Sequence, residues 1–160
     1  MKKYDASVKV NAPVDAVLKL MATAEYAREE AKLDGAVKAD AAVKESTDEK
    51  IVIHINREDP SRGAGGKIAG KTEKNIITQE WNLGTGKCRW SVRVPGMEKL
   101  VNIAGETWLE PAGEGVCRLC EAGGVDIKVP VIGNLVASGV VSDIKNNFSR
   151  KAKFIEKQLG

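Results

Sequence analysis

Residues 132–159, IGNLVASGVVSDIKNNFSRKAKFIEKQL, decide the fold. Val136, Val140, Ile144, Phe148, Ala152, Ile155 and Leu159, with Phe154 beside them, recur at the period of a helix. At 1.5 Å per residue such a helix runs about 40 Å, long for one element of a globular chain. Each step of four residues turns the stripe by about 40°, so its apolar positions spread over a wide arc. A wide arc suits a rod held by a curved sheet better than a narrow helix–helix seam. Gly139 lies inside the arc, where a missing side chain lets a strand approach or leaves open space.

Upstream of this helix the chain supplies the sheet. Tyr4, Ala6, Val8 and Val10 alternate with Asp5, Ser7 and Lys9, the period of a half-buried strand. Asn11-Ala12-Pro13 then opens a helix striped by Val14, Val17, Leu18 and Met21. Thr23 can cap a second short helix, faced by Ala24, Ala27 and Ala31 and stopped at Leu33-Asp34-Gly35. From Ala36 to Val129 the period is two, broken by turn residues at Thr47-Asp48, Pro60 to Gly70, Gly84-Thr85-Gly86, Pro95-Gly96, Pro111 to Gly115 and Gly123-Gly124. That pattern predicts six further strands in meander order. Ile51, Ile53 and Ile55 share one face of their strand, and His54 shares the other with Val52 and Asn56. Pairing Leu83 with Cys88 sets Trp81 opposite Trp90, Gln79 opposite Val92 and Ile77 opposite Val94, and this is the expected register of that hairpin.

The composition is that of a globular chain, 160 residues with 42% hydrophobic and 29% charged side chains, and residues 1–160 are expected to form one domain. No apolar run is long enough to cross a bilayer, and Met1-Lys2-Lys3 leads into a strand with no apolar signal stretch, so a cytoplasmic address is expected. Three cysteines in such a chain are expected to be reduced, with no disulfide. A net charge of +3 is too mild to imply a nucleic-acid partner. Lys145, Arg150, Lys151, Lys153 and Lys157 crowd the last helix. They are expected to form a solvated face, with peripheral contact to an anionic membrane surface as the alternative.

Several motifs lose on mechanics. Gly65-Gly66-Lys67-Ile68-Ala69-Gly70-Lys71-Thr72 fits the phosphate-loop pattern letter for letter, but that loop needs a helix directly after it. Glu73 to Gln79 reads as β-branched strand, so a loop at a cavity mouth is expected. Cys117 and Cys120, three apart on a strand, point to opposite faces and cannot readily share a metal, and buried thiols are expected. His54 is expected on the solvent side, Glu80 and Glu106 outward, and Trp108 outside or at an edge. No nucleophile has a base and an orienting acid at motif spacing.

The order of strand, two short helices, six-stranded meander and long C-terminal helix resembles the START-like or helix-grip superfamily, which includes lipid-transfer domains, birch-pollen-allergen-like proteins and polyketide cyclases. Val8-Lys9-Val10-Asn11-Ala12-Pro13-Val14-Asp15-Ala16-Val17 looks like its first strand running into its first helix. Within it the chain looks most like a bacterial family labelled only as a domain of unknown function, through Gln79-Glu80-Trp81, Gly105-Glu106-Thr107-Trp108-Leu109-Glu110-Pro111 and Val129-Pro130-Val131-Ile132-Gly133. The Gly-rich stretch from Gly63 to Gly70 departs from that pattern. The resemblance implies an α+β helix-grip fold, a curved seven-stranded antiparallel sheet around the last helix, with an apolar tunnel between them. It implies no reaction.

The expected function is binding or transport of a hydrophobic small molecule, lipid-like or polyaromatic, in a cavity between sheet and helix. Its expected walls are Ile53, Ile55, Trp81, Trp90, Val92, Ile103, Val136, Val140, Ile144 and Phe148, with no catalytic residue, metal or cofactor assigned. Two alternatives stay open. One is a cyclase-like or hydrolase-like enzyme using a carboxylate or tyrosine in the same cavity; the other is a protein-interaction module. The sequence sets no oligomeric state.

Overall fold

The alternation around Val8 forms β1 (Lys2–Val10) in the computed structural model, which describes residues 1–160. Pro13 stands at the entry of α1 (Val14–Met21), and the Thr23 hydroxyl accepts a hydrogen bond from the Tyr26 amide to start α2 (Ala24–Leu33). The meander follows as β2 (Lys38–Ser46), β3 (Lys50–Gly63), β4 (Gly66–Asn82), β5 (Lys87–Arg93), β6 (Val101–Pro111) and β7 (Cys117–Ile127). The chain ends in α3 (Gly133–Leu159), 27 residues long. Seven strands form one antiparallel sheet in the order β1-β7-β6-β5-β4-β3-β2, the first strand closing against the last. This is the expected helix-grip architecture.

Two helices cover opposite flanks of one sheet face. α3 packs on β1 and β7, and α2 packs on β2 and β3. The closed core lies where the C-terminal ends of β1, β4 and β6 meet the start of β7 and the second half of α3: Val10, Trp81, Leu109, Cys117, Phe148 and Ile155 are all buried there. Toward the other end, over β4, β5 and β6, neither flanking helix fills the space.

The break expected at Gly123-Gly124 lies instead inside β7, where both glycines pair with β1 and β6, and three further details correct the sequence reading. The β4–β5 hairpin pairs Trp81 with Cys88, Gln79 with Trp90 and Ile77 with Val92, two residues from the expected register. The turn decides this: Asn82 Oδ1 accepts from the amides of Gly84 (3.0 Å) and Thr85 (3.1 Å), and Gly86 takes a left-handed φ of 70°. A two-residue shift preserves parity, so both indoles stay on the same face, set diagonally. Second, the expected loop from Pro60 to Gly70 is mostly strand. β3 and β4 run on, past a bulge between Pro60 and Arg62, to a two-residue turn between Gly63 and Gly66. The extension is held by Arg62, whose guanidinium pairs with Asp143 on α3, and Gly139 gives it room, since a Cβ there would lie 3.3 Å from Arg62 Nη1. Third, Lys151 is buried, not part of a solvated basic face. Phe148, Lys151, Ala152 and Ile155 follow the three-and-four spacing of one helical face, and Lys151 shares the buried side.

Candidate functional site

The uncovered part of the sheet becomes a cavity of about 540 Å³ between β3–β7, α2 and α3. That volume falls in the range of small-molecule sites. Ile55, Trp90, Val92, Ile103, Val136, Val140 and Ile144 line it, joined by Met97, Ile127, Val129 and Ile132. Gly35 and Lys67, both exposed, lie at its solvent side. Ile53, Trp81 and Phe148 do not line it. They are 0%, 1% and 3% exposed in the closed core, because their ends of β3, β4 and α3 are those that α1 and α2 seal. Strand parity predicts which face a side chain takes, but not which end of the sandwich is open.

Paired glycines shape the wall. Gly105 on β6 faces Gly123 on β7, and each leaves room for a ring. A Cβ at Gly105 would come within 2.6 Å of Trp90 Cζ2, and one at Gly123 within 2.9 Å of the Tyr4 hydroxyl. The absent side chains let Tyr4 reach across from β1.

The boundary between cavity and core is polar, and the sequence reading missed it. Glu121 on β7, 6% exposed, lines the cavity and accepts hydrogen bonds from the Tyr4 hydroxyl and from Thr107 Oγ1, both at 2.8 Å. Lys151 Nζ reaches Glu30 at 3.5 Å and Asp34 at 3.8 Å, both on or next to α2. Arg57 grips Asp59 through two nitrogens (2.8 and 2.6 Å), and Asn75 Nδ2 donates to the same carboxylate at 2.7 Å. Three buried polar atoms on cavity-lining residues have no partner: Asp34 Oδ1, Asn75 Oδ1 and Trp90 Nε1. A signal was present in the chain. Glu30 and Asp34 flank Ala31 at helical spacing beside Ala27, and Glu121 shares the strand parity of Cys117 and Leu119.

Burial sets the protonation of this cluster. The Asp34 carboxyl is pushed up to about 6, by burial first and by Glu30 in addition, against the opposing pull of Lys151 and Arg57. Burial works against the Lys151 charge, but Asp34, Glu30 and Glu121 outweigh it and hold the ammonium above the ordinary lysine range. Burial and then Glu121 push the Tyr4 phenol well up, so it donates and does not ionise.

Elsewhere the polar residues singled out by sequence face away. Glu80 is exposed, and Glu106 pairs with Lys87 at 3.1 Å on the outer face. Trp108 is also on that face, its Nε1 donating to Glu110 at 3.0 Å and its ring 6.0 Å from the Lys87 ammonium. His54 is half-buried and outside the cavity lining. Cys88, Cys117 and Cys120 are buried free thiols, each pushed up by desolvation. No three His, Cys, Asp or Glu side chains are arranged to hold a metal, and no helix is long and apolar enough to cross a membrane.

Solved structures share this architecture. The Zhui aromatase/cyclase from Streptomyces sp. R1128 superposes with a TM-score of 0.71 at 11% identity, over 99% of this chain and 96% of that one. A START superfamily protein from Mycobacterium smegmatis gives 0.65 at 10% identity, over 99% of each chain. A point mutant of norcoclaurine synthase from Thalictrum flavum, in complex with a transition-state analogue, gives 0.63 at 11% identity, over 99% and 96%. Identities this low establish the fold alone, a helix-grip fold whose members include cyclases. A search of curated proteins by sequence finds no match. The sequence model of one family matches residues 5–159, nearly the whole chain, and the protein therefore belongs to the family described as protein of unknown function (DUF2505).

Proposed function

We propose that this protein binds or carries a hydrophobic small molecule, lipid-like or polyaromatic, in the cavity over β4, β5 and β6. The observation that carries this reading is a 540 Å³ space walled by apolar side chains of α3 and the sheet, in a chain otherwise able to close its core. Burying apolar ligand surface there contributes roughly 25 cal/mol per Å². Trp90, with an unpartnered indole N–H beside the volume, offers both a flat apolar wall and a donor. The test is fluorescence titration with the uncharged probe N-phenyl-1-naphthylamine. Saturable one-to-one enhancement is expected, lost when Val140→Trp fills the space. Enhancement that survives Val140→Trp unchanged contradicts the site.

A second reading rests on a specific observation, the carboxylates of Glu121 and Asp34 beside open volume. A carboxyl near 6 both gives and takes protons close to neutrality, which suits acid–base chemistry of a cyclase-like or hydrolase-like kind. Peripheral contact with anionic lipid would rest on the exposed Lys145, Arg150, Lys153 and Lys157, without Lys151. Co-sedimentation with phosphatidylserine vesicles tests it.

A further inference from the structure

Cations and carboxylates are not matched in this cavity. Every cationic side chain lining it already has a carboxylate within 4 Å: Arg57 has Asp59, Arg62 and Lys67 share Asp143, and Lys151 has Glu30 and Asp34. An anionic headgroup entering the cavity would find no cation free of a carboxylate. The carboxylates are in excess. Glu121 has only neutral hydroxyl donors, Tyr4 and Thr107, and Asp34 Oδ1 has no partner at all. Three carboxylates, Glu30, Asp34 and Glu121, thus surround the one ammonium of Lys151 at the polar end.

From this geometry, and resting on the ligand-binding reading above, we propose that the preferred ligand is an apolar body bearing a protonated amine, the amine seated among Glu30, Asp34 and Glu121. A buried ammonium needs carboxylate partners and hydrogen-bond acceptors, and this end of the cavity holds both in surplus. Away from it, Val136, Val140, Ile103 and Val92 offer apolar contact to the body. From Val136 to Lys151 the helix rises about 22 Å, so the two ends are well separated. Asp34 retains a proton up to about 6 chiefly through burial, and a bound ammonium can take that proton's place. The groups facing Asp34 are Lys151 on α3, Glu30 and Tyr26 on α2, Arg57 on β3 and Glu121 on β7. An arriving ammonium displaces that proton, so amine affinity rises as pH rises through about 6.

The test is displacement of N-phenyl-1-naphthylamine by three matched compounds: 2-(1-naphthyl)ethylamine, 2-(1-naphthyl)ethanol and 1-naphthylacetate. At pH 7.5 the amine is expected to displace the probe at least tenfold more tightly than the alcohol, with the acetate weakest. Asp34→Asn and Glu121→Gln, which keep the shape but exchange one acceptor oxygen for an amide donor and remove the charge, should each cut the amine-to-alcohol ratio, taken within each variant, severalfold. Equal displacement by amine and alcohol, or a preference for the acetate, overturns the proposal and leaves the cavity reading intact. Failure of the probe and of all three compounds to bind removes the cavity reading, and the proposal with it.

Discussion

Lys151 keeps its charge inside the protein because Asp34 and Glu30, with Glu121 behind them, hold it there. Removing one partner of such a cluster leaves uncompensated buried charge, so Lys151→Met is expected to lose about 3 kcal/mol at pH 7, read as a lower midpoint in urea. Because the folded-state pKa of Lys151 is raised, its contribution is complete below the ordinary lysine value of 10.5 and fades as pH climbs beyond it. Asp34 also has a raised folded-state pKa, about 6 against 3.8, but for an acid this means that the folded protein prefers the protonated form. That contribution is complete below 3.8 and is lost as pH rises to about 6. Thermal midpoints of wild type should therefore fall relative to those of Asp34→Asn across this window, then run parallel above it. A constant gap from pH 3.8 to 6 contradicts the assignment. These roles were hard to read in sequence because Tyr4 and Glu121 stand 117 positions apart, and a charged residue on a helix reads first as solvated. Only the spacing of Lys151 with Phe148, Ala152 and Ile155 argued otherwise.

The elements themselves were legible. Period two from Ala36 to Val129, the Thr23 cap and the wide arc of the last helix give the right number of strands and helices in the right order. Register and turn length were less so, since they depend on how a few side chains fold back: Asn82 on its own turn, and Arg62 on Asp143. The entry to α3 carries strain. Val131 sits at φ 73°, a left-handed conformation that a β-branched residue adopts at a cost of about 1–2 kcal/mol, and its side chain is 98% exposed. Val131→Gly should therefore stabilise the protein by about 1 kcal/mol, seen as a higher melting temperature in calorimetry. Two positions later the reverse holds, for a Cβ at Gly133 would lie 2.2 Å from the Ile127 carbonyl oxygen. Gly133→Ala should lower the melting temperature and shift the amide resonances around Ile127.

At the scale of the whole molecule, two helices divide one sheet face between them and leave its middle uncovered at one end. Sequence parity identified Ile55, Trp90, Val92, Ile103, Val136, Val140 and Ile144 as cavity-facing, but it also included Ile53, Trp81 and Phe148, which share their faces and sit at the sealed end. This division predicts separable effects for the two inward indoles. Trp81→Ala should cost about 3–5 kcal/mol of stability by opening a hole in the core. Trp90→Ala should cost far less and weaken probe binding instead. The most direct measurement is a crystal structure of the protein grown with N-phenyl-1-naphthylamine. Density for the probe against Trp90, Val92 and Val140 is predicted, with Trp81 and Phe148 untouched; side chains collapsed across that space, with no void between α3 and β4–β6, would contradict the account.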